Sequence, residues 1–336
     1  MKTLSIIVPS YNTSRFIKHF FESILDSRYN DDIQIVIVND GSKDDTLSIA
    51  RNYEKENPNT VLVVDKENGG HGSAINAGVK KCVGRYFKVV DGDDFVDSEA
   101  LYHFICELKN IDADMVINPY TTISEITNEF KVVDINSSPL CKNKPNKPFE
   151  SKVYSVDEIL PYIYASIHSL TFKTSIFIEN NITLTEKIFY EDNEYNLFAL
   201  PYIETIFYSK YNVYRYLIDQ SNQSISLTNT QKRVSHLEKV VLSLISFYNK
   251  DKYLLSKQKQ DYIEKIVLSQ IQSVFRIYLS FKEDLSVHKK EVKNFDYNVK
   301  KISKRFYRKC FRFKNVFAAR FCFYAFYKPA ARFLGK

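Results

Sequence analysis

A chain of 336 residues, 44% hydrophobic and 15% aromatic, has length for two domains, or for one large domain with an appendage, and is too rich in core-forming side chains to stay disordered. Its 47 Lys and Arg against 40 Asp and Glu hide an asymmetry: residues 297–336 hold 12 cations and no acid, leaving residues 1–296 with 35 basic and 40 acidic groups, a net of −5. A body of that sign is a poor general binder of nucleic acid, five scattered cysteines without a C-x-x-C pair argue against a disulfide scaffold or thiolate zinc site, and no run of about 18 apolar residues predicts a transmembrane helix.

The elements then follow in chain order. Leu4–Val8 is a short apolar run closed by Pro9-Ser10-Tyr11-Asn12, hence a strand and then a loop. It is too short for a signal sequence, and a cytoplasmic location is the expectation. Ser14 is expected to cap a helix with Phe16, Ile17, Phe20, Phe21, Ile24 and Leu25 at helical spacing. Ile33–Val38 is almost wholly apolar, the pattern of a parallel strand covered on both faces, and it ends in Asn39-Asp40-Gly41-Ser42. Val61–Val64 gives a third strand, followed by Asn68-Gly69-Gly70-His71-Gly72 and a helix from Ser73 to about Val83. Tyr86–Val90 gives a fourth strand, running into Asp91-Gly92-Asp93-Asp94. Alternating strands and helices with right-handed crossovers build an open, doubly wound parallel sheet of the Rossmann-like α/β class. Each loop lies past the carboxyl end of a strand, where such sheets bind ligands.

Seven of the eight glycines fall between residues 41 and 92, which points to a loop-built site where backbone approaches a ligand. Asp91 and Asp93, two residues apart on an extended segment, would face one cleft and offer hard oxygen ligands to Mg²⁺ or Mn²⁺. Alone, such a pair reads better as a solvated acidic turn. Further on, Ser98–Lys109, Met115–Asn118, Thr174–Glu179 and the Thr205–Tyr216 stretch read as a helix, a strand, a short helix and strands, with helices dominating after Asn229.

Taken in order, SIIVPSYN, VNDGSKDDT, ENGGHGSAINAGV and GRYFKVVDGDD resemble the family 2 glycosyltransferases of GT-A fold, strongly over about residues 3–110 and more weakly to about 225 through HSLTFKTSIF, FYEDNEY and YRYLIDQSNQSIS. The resemblance implies a nucleotide-sugar-binding half at 1–118, an acceptor-binding half at 119–228 and a helical C-terminal region at 229–336. It implies that Tyr11 lies against the base of a nucleotide, UDP by preference, with Pro9 shaping the loop. Asp40 would accept a hydrogen bond from the base, although an Asx-turn residue is the alternative there and the two are compatible. Asn68 and Gly70 would line the diphosphate. Asp91 would contact ribose or metal and Asp93 would ligate the Mn²⁺ or Mg²⁺, with Asp94 either a further ligand or a turn cap. Inverting transfer needs a base for the acceptor hydroxyl. Asp192 is assigned that role with Glu191 as a supporting or alternative base, helix-start residues being the competing reading. His71 is expected to be an ordinary loop histidine, and His168 a satisfied core histidine, with lining of the acceptor side beside Lys173 as its alternative.

No Gln-x-x-Arg-Trp sequence of processive members occurs, so one sugar is expected per encounter with a glycan or lipid-linked acceptor in cell-surface polysaccharide assembly. A nucleotidyltransferase would want a glycine-rich basic loop directly after the first strand, and a non-catalytic binding module would lack the acids. The tail 297–336 pairs its 12 cations with 12 aromatics. That pattern predicts peripheral attachment to the inner face of the plasma membrane, with a packed helical subdomain as the alternative.

Overall fold

In the computed structural model, residues 2–141, 143–219 and 227–320 are described, and they form two compact units, one within residues 1–221 and the other within 222–336. The first unit begins with β1 (Leu4–Ser10), α1 (Ile17–Ile24), β2 (Ile33–Asp40), α2 (Thr46–Glu56), β3 (Val61–Lys66), α3 (His71–Val79) and β4 (Tyr86–Val89). β1 and β2 are buried at every residue, as a continuous apolar run demands of a strand covered on both faces. Ile6, Val8, Ile35 and Ile37 share one core with Phe20, Phe21, Ile24 and, from α4 (Ser98–Asn110), Leu101, Phe104 and Leu108. Ile7, on the opposite face of β1, lies under α3. A Cβ built on Gly78 would come within 2.4 Å of Ile7 Cγ2, so only glycine lets that helix sit so low.

Two further details differ from expectation. Ser14 does not cap α1; its backbone N–H donates to Asp44 Oδ2 at 3.0 Å, tying the loop after β1 to the loop after β2. α3 starts at His71 rather than Ser73 because Gly70, at φ +85°, turns the chain directly into the helix.

Beyond β4 the chain adds β5 (Phe95–Val96), β6 (Met115–Ile117), β7 (Tyr120–Ser124), β8 (Phe130–Val133), β9 (Lys152–Ser155), α5 (Val156–Ile159), β10 (Leu170–Lys173), α6 (Thr174–Glu179), α7 (Asp192–Leu197), β11 (Thr205–Tyr208) and β12 (Tyr214–Ile218). The main sheet runs β3-β2-β1-β4-β10-β6-β11-β9. β3, β2, β1 and β4 are parallel, as read from the sequence. β10 then enters antiparallel to both β4 and β6, and β9 is antiparallel to β11, so the later half of the sheet is mixed. A second sheet, β5-β12-β7-β8, was not foreseen. Its β12 threads back beside the acidic loop after β4, pairing Tyr214 with Val96 and Arg215 with Phe95.

The second unit is helical: α8 (Leu227–Lys232), α9 (Val234–Asp251), α10 (Lys257–Ser280), α11 (Leu285–Ile302) and α12 (Lys304–Lys309). Val240, Leu244, Ile263, Val267, Ile271 and Val274 are buried along its long stripes. The basic tail divides in two. Val299, Phe306, Cys310, Val316 and Ala319 are fully buried in this unit, and Arg320 grips Asp296 through Nε and Nη2 at a side-chain exposure of 4% and 5%. Lys300, Lys301, Lys304, Arg308, Arg312 and Lys314 face outward with Tyr297, Phe311 and Phe317. Residues 321–336, which carry the other half of the aromatics, lie outside the described residues. No helix among those described is long and apolar enough to cross a membrane.

Candidate active site

The loops after β1, β2, β3 and β4 converge at one end of the sheet, as parallel strands require. Pro9 is the penultimate residue of β1, and its carbonyl accepts from Gly92 N–H at 3.1 Å, so the end of the first strand touches the fourth loop. A Cβ on Gly92 would come within 2.9 Å of that same carbonyl. Tyr11 stands in the open, 51% exposed, its ring free to meet a planar partner.

Asp40 is buried and already engaged. Oδ1 accepts from Lys66 Nζ at 2.7 Å and Gly69 N–H at 2.9 Å, and Oδ2 accepts from Gly70 N–H at 2.7 Å. The exposed Asn68 donates from Nδ2 to the Asp40 carbonyl. The first office of Asp40 is therefore to fold the glycine loop, presenting Asn68 and Gly70 at its rim.

Asp91-Gly92-Asp93-Asp94 is a turn, Asp94 N–H donating to Asp91 O at 3.0 Å, and not the extended segment assumed from the spacing. A turn brings residues three apart together. Asp91 and Asp94 accordingly share a cluster with His168 in which one ligand atom from each lies within 4.8 Å of the others, and Asp93 is not a member. Asp94 is buried, accepting from Tyr214 Oη–H at 2.6 Å and Leu217 N–H at 2.8 Å. Burial, then the neighbouring Asp93 and Asp91, pushes its carboxyl well above the usual range. Burial and Asp91 likewise hold Asp93 up at about 6.

His168 is no plain core histidine. It stacks on Tyr216 at 4.4 Å and meets Tyr214 and Tyr120 edge-on or tilted. Burial depresses its pKa to about 4, so the ring is neutral near pH 7 and keeps a lone pair. Beneath it lies Lys88, fully buried on β4, whose ammonium donates to the carbonyls of His168 at 2.7 Å and Leu170 at 3.2 Å. Desolvation lowers that ammonium to about 7.

His71 stands in the middle of the acids. Nε2 lies 2.8 Å from Asp91 Oδ1 and Nδ1 lies 2.7 Å from Glu191 Oε1. Burial opposes its protonation, but the two carboxylates outweigh that and raise its pKa well above the ordinary value. Both ring nitrogens then donate. Asp91 is held low in turn: burial works against its ionised form, and His71 more than compensates.

Glu191 is 4% exposed, and its Oε2 is buried with no hydrogen-bond partner. Asp192 opens α7, half-buried, and accepts from Asn193 Nδ2 at 3.0 Å. Burial first, then the Glu191 charge, raises it to about 6. Glu194 is fully buried and binds Thr185 through its N–H and Oγ1–H, which makes it a loop tie.

Sequence reasoning thus brought Pro9, Tyr11, Asp40, Asn68, Gly70, Asp91, Asp93, Glu191 and Asp192 to one end of the sheet. It missed His71, His168, Lys88 and Tyr214. Only for His71 was there a signal, a bulky side chain inside a loop of small residues.

Two carboxylates and a neutral imidazole suit Mn²⁺, or Mg²⁺ through the oxygens alone, and the burial and crowding that raise the carboxyls of Asp93 and Asp94 are what a bound cation relieves. The donor set fits a divalent cation.

A model of Glycosyl transferase family 2 matches residues 5–172, half the chain. An uncharacterized glycosyltransferase, RP339 of Rickettsia prowazekii, is 28% identical over 227 residues, which is 68% of this chain and 66% of the relative. The minor teichoic acid biosynthesis protein GgaB of Bacillus subtilis is 32% identical over 148 residues, 40% of this chain but only 16% of GgaB. The chain thus spans just under two thirds of the first relative and a small part of the second. Among solved structures, S. aureus TarS 1–349 in complex with UDP covers 100% of this chain and 90% of its own, with a TM-score of 0.66 at 16% identity, a likeness of fold.

Proposed function

Because the chain belongs to Glycosyl transferase family 2, we propose that this glycosyltransferase is metal-dependent and inverting, and moves one sugar from a UDP-sugar to a hydroxyl of a glycan or lipid-linked acceptor. The carrying observation is the pairing of a cation-suited cluster at Asp91, Asp94 and His168 with a carboxylate held near 6 at Asp192. A base whose pKa sits just below working pH is mostly ionised yet still basic enough to take a proton.

Asp91 would bind the cation with Asp94 and His168, and Asp93 would serve the cation or its water from beside the turn. The cation would neutralise the departing diphosphate. Tyr11 offers its exposed ring to the base, and Asp40 holds the glycine loop along the diphosphate, with Asn68 and Gly70 at its edge. Asp192 takes the proton of the acceptor O–H as that oxygen forms its bond to the anomeric carbon from the face opposite the leaving group. The bond from that carbon to the β-phosphate oxygen breaks, UDP leaves with its electron pair, and the anomeric configuration inverts. Glu191, one residue earlier, keeps Asp192 basic by its charge.

GgaB is named for teichoic acid biosynthesis and TarS was crystallised with UDP. Those names favour an acceptor among cell-surface polymers and a uridine nucleotide. The outward-facing cations of the tail favour attachment to an anionic membrane surface. The test is a panel of UDP- and GDP-sugars with Mn²⁺, Mg²⁺ or EDTA, with nucleotide release as the readout. Metal-dependent release from a UDP-sugar is expected. Release that is insensitive to EDTA, or confined to GDP-sugars, refutes the metal or the uridine assignment respectively.

A further inference from the structure

We infer that His71 is a positioning residue that couples the carboxylates of the nucleotide side to those of the acceptor side, so that what happens at Asp91 is felt at Glu191 and its neighbour Asp192. The inference rests on the proposed reading of the two acid groups but not on any particular sugar or acceptor.

The two acids belong to distant parts of the chain. Asp91 follows β4, and Glu191 precedes α7, 100 residues later. His71, at the first residue of α3, reaches both, with one ring nitrogen at 2.8 Å and the other at 2.7 Å. An imidazole is rigid and planar, so fixing one nitrogen on Asp91 fixes where the other must point. Asp91 gives His71 its Oδ1, leaving Oδ2 outside that bond. Glu191 gives Oε1 and leaves Oε2 buried without a partner. A movement of either carboxylate therefore turns the ring and is passed to the other. A solvated acid pair without the ring would pass nothing on.

The surrounding backbone is built for this contact. Lys187 N–H donates to Gly69 O at 2.7 Å, and Asn76 on α3 exchanges hydrogen bonds with Leu184, from Nδ2 to its carbonyl and from its N–H to Oδ1, each at 2.9 Å. Gly72 completes the seam. A Cβ there would come within 2.7 Å of Thr185 O and 3.0 Å of Glu191 Cγ. The first turn of α3 and the 184–191 segment are thus stitched by backbone and amide bonds on either side of the ring. These stitches hold the segments together without His71. The ring adds the hydrogen-bonded link between the acids themselves.

The experiment uses the full chain, with Mn²⁺ alone as the probe. Mn²⁺ binding is followed by electron paramagnetic resonance and the response of residues 185–197 by amide hydrogen exchange. In the wild type, Mn²⁺ should change exchange in 185–197 even though it binds at the β4 loop. In His71→Ala, thermal melting checks the fold, and exchange in 185–197 without metal should rise about 10–100-fold, the worth of one charge-assisted hydrogen bond. Mn²⁺ should still bind, yet leave 185–197 unaffected. His71→Gln, which reaches one carboxylate but lacks the ring's rigid geometry, should recover the fold and part of the metal-free protection while leaving the response to Mn²⁺ weak.

A His71→Ala protein whose 185–197 segment answers Mn²⁺ as the wild type does overturns the inference. A purely structural role would raise exchange in both states and leave the response to metal intact. If Mn²⁺ fails to bind the wild type, the metal reading falls, and the bridge is judged on the metal-free proteins: unchanged exchange in both variants refutes it.

Discussion

Ending the chain at Asp296 removes the basic tail at the point where its composition changes, and the structure fixes what that deletion does. Val299, Phe306 and Val316 are fully buried, Phe306 packing edge-on against Tyr248 at 5.2 Å. At about 1.5–3 kcal/mol for each large apolar side chain buried, their loss costs about 5–9 kcal/mol. Asp296 loses Arg320, its buried partner. Glu264, at a side-chain exposure of 9%, loses both Arg305 and Lys309. Leaving one buried carboxylate unpaired costs about 3–5 kcal/mol more. Typical domains are stable by about 5–15 kcal/mol, so the helical unit of a chain ending at Asp296 should not fold. Circular dichroism at 222 nm should show lost helix, and hydrogen exchange should show α9 and α10 unprotected while β1–β4 keep their protection. A truncated chain with a cooperative melt near that of the full chain would refute this reasoning.

The remaining predictions concern the surface and the site. Changing Lys300, Lys301, Lys304, Arg308, Arg312 and Lys314 to Glu should leave the melt intact and abolish sedimentation with vesicles containing phosphatidylglycerol at low salt, since each cation near such a surface contributes about 1 kcal/mol; unchanged sedimentation refutes membrane attachment by this face. Asp192→Asn should spare UDP binding measured by calorimetry and lower transfer about 10²–10⁴-fold; the reverse pattern assigns Asp192 to the nucleotide. In the wild type, with Glu191, His71, Asp91 and Tyr164 the charged or titratable groups around Asp192, kcat/KM should fall tenfold per pH unit below about 6 as the base is protonated, and a flat profile from 5 to 7 rejects the assignment. Asp93→Asn should weaken Mn²⁺-dependent turnover with little change in melting, whereas Asp94→Asn, by disturbing the buried bonds to Tyr214 and Leu217, should lower the melting temperature as well.

The first four strands were legible because a parallel strand buried on both faces advertises itself as an unbroken apolar run, and each is followed at once by the polar loop it carries. The second sheet was not. β5 is two residues long, and the exposed β8 alternates nothing the eye can use. The acids were found as residues but misjudged as geometry. Asp91 and Asp93 face alike only if the segment is extended, and Gly92 lets the chain turn instead, so the carboxylate that gathers with Asp91 and His168 is that of Asp94. His71 stood out by its bulk, but its partners were out of reach for another reason. Its meaning lies in a residue 120 positions away, and no local pattern predicts which carboxylate a loop histidine will meet. The tail shows a third kind of ambiguity: cations interleaved with aromatics describe a membrane face and a packed helix pair equally well, and this one is partly the latter.

The electrostatics of the cleft also bear on the order in which ligands must arrive. Asp91, Asp93, Asp94, Glu191 and Asp192 lie around a single protonated imidazole. His168 is neutral there, and the ammonium of Lys88 is turned away onto two carbonyls. The raised carboxyls of Asp93, Asp94 and Asp192 record mutual repulsion and burial that the imidazole does not cancel. A nucleotide diphosphate brings further negative charge into that field, and in a partly dehydrated cleft like charges a few ångströms apart repel by several kcal/mol. The helix that opens at His71 offers its N-terminal dipole, but a fraction of one charge does not reverse the sign of five carboxyl groups. A divalent cation at Asp91 and Asp94 would offset two of those charges at the point where the diphosphate is proposed to lie. On the proposed function, a cation would therefore either precede the diphosphate or enter with it, and the inferred role of His71 would keep Glu191 and Asp192 in register with the state of Asp91.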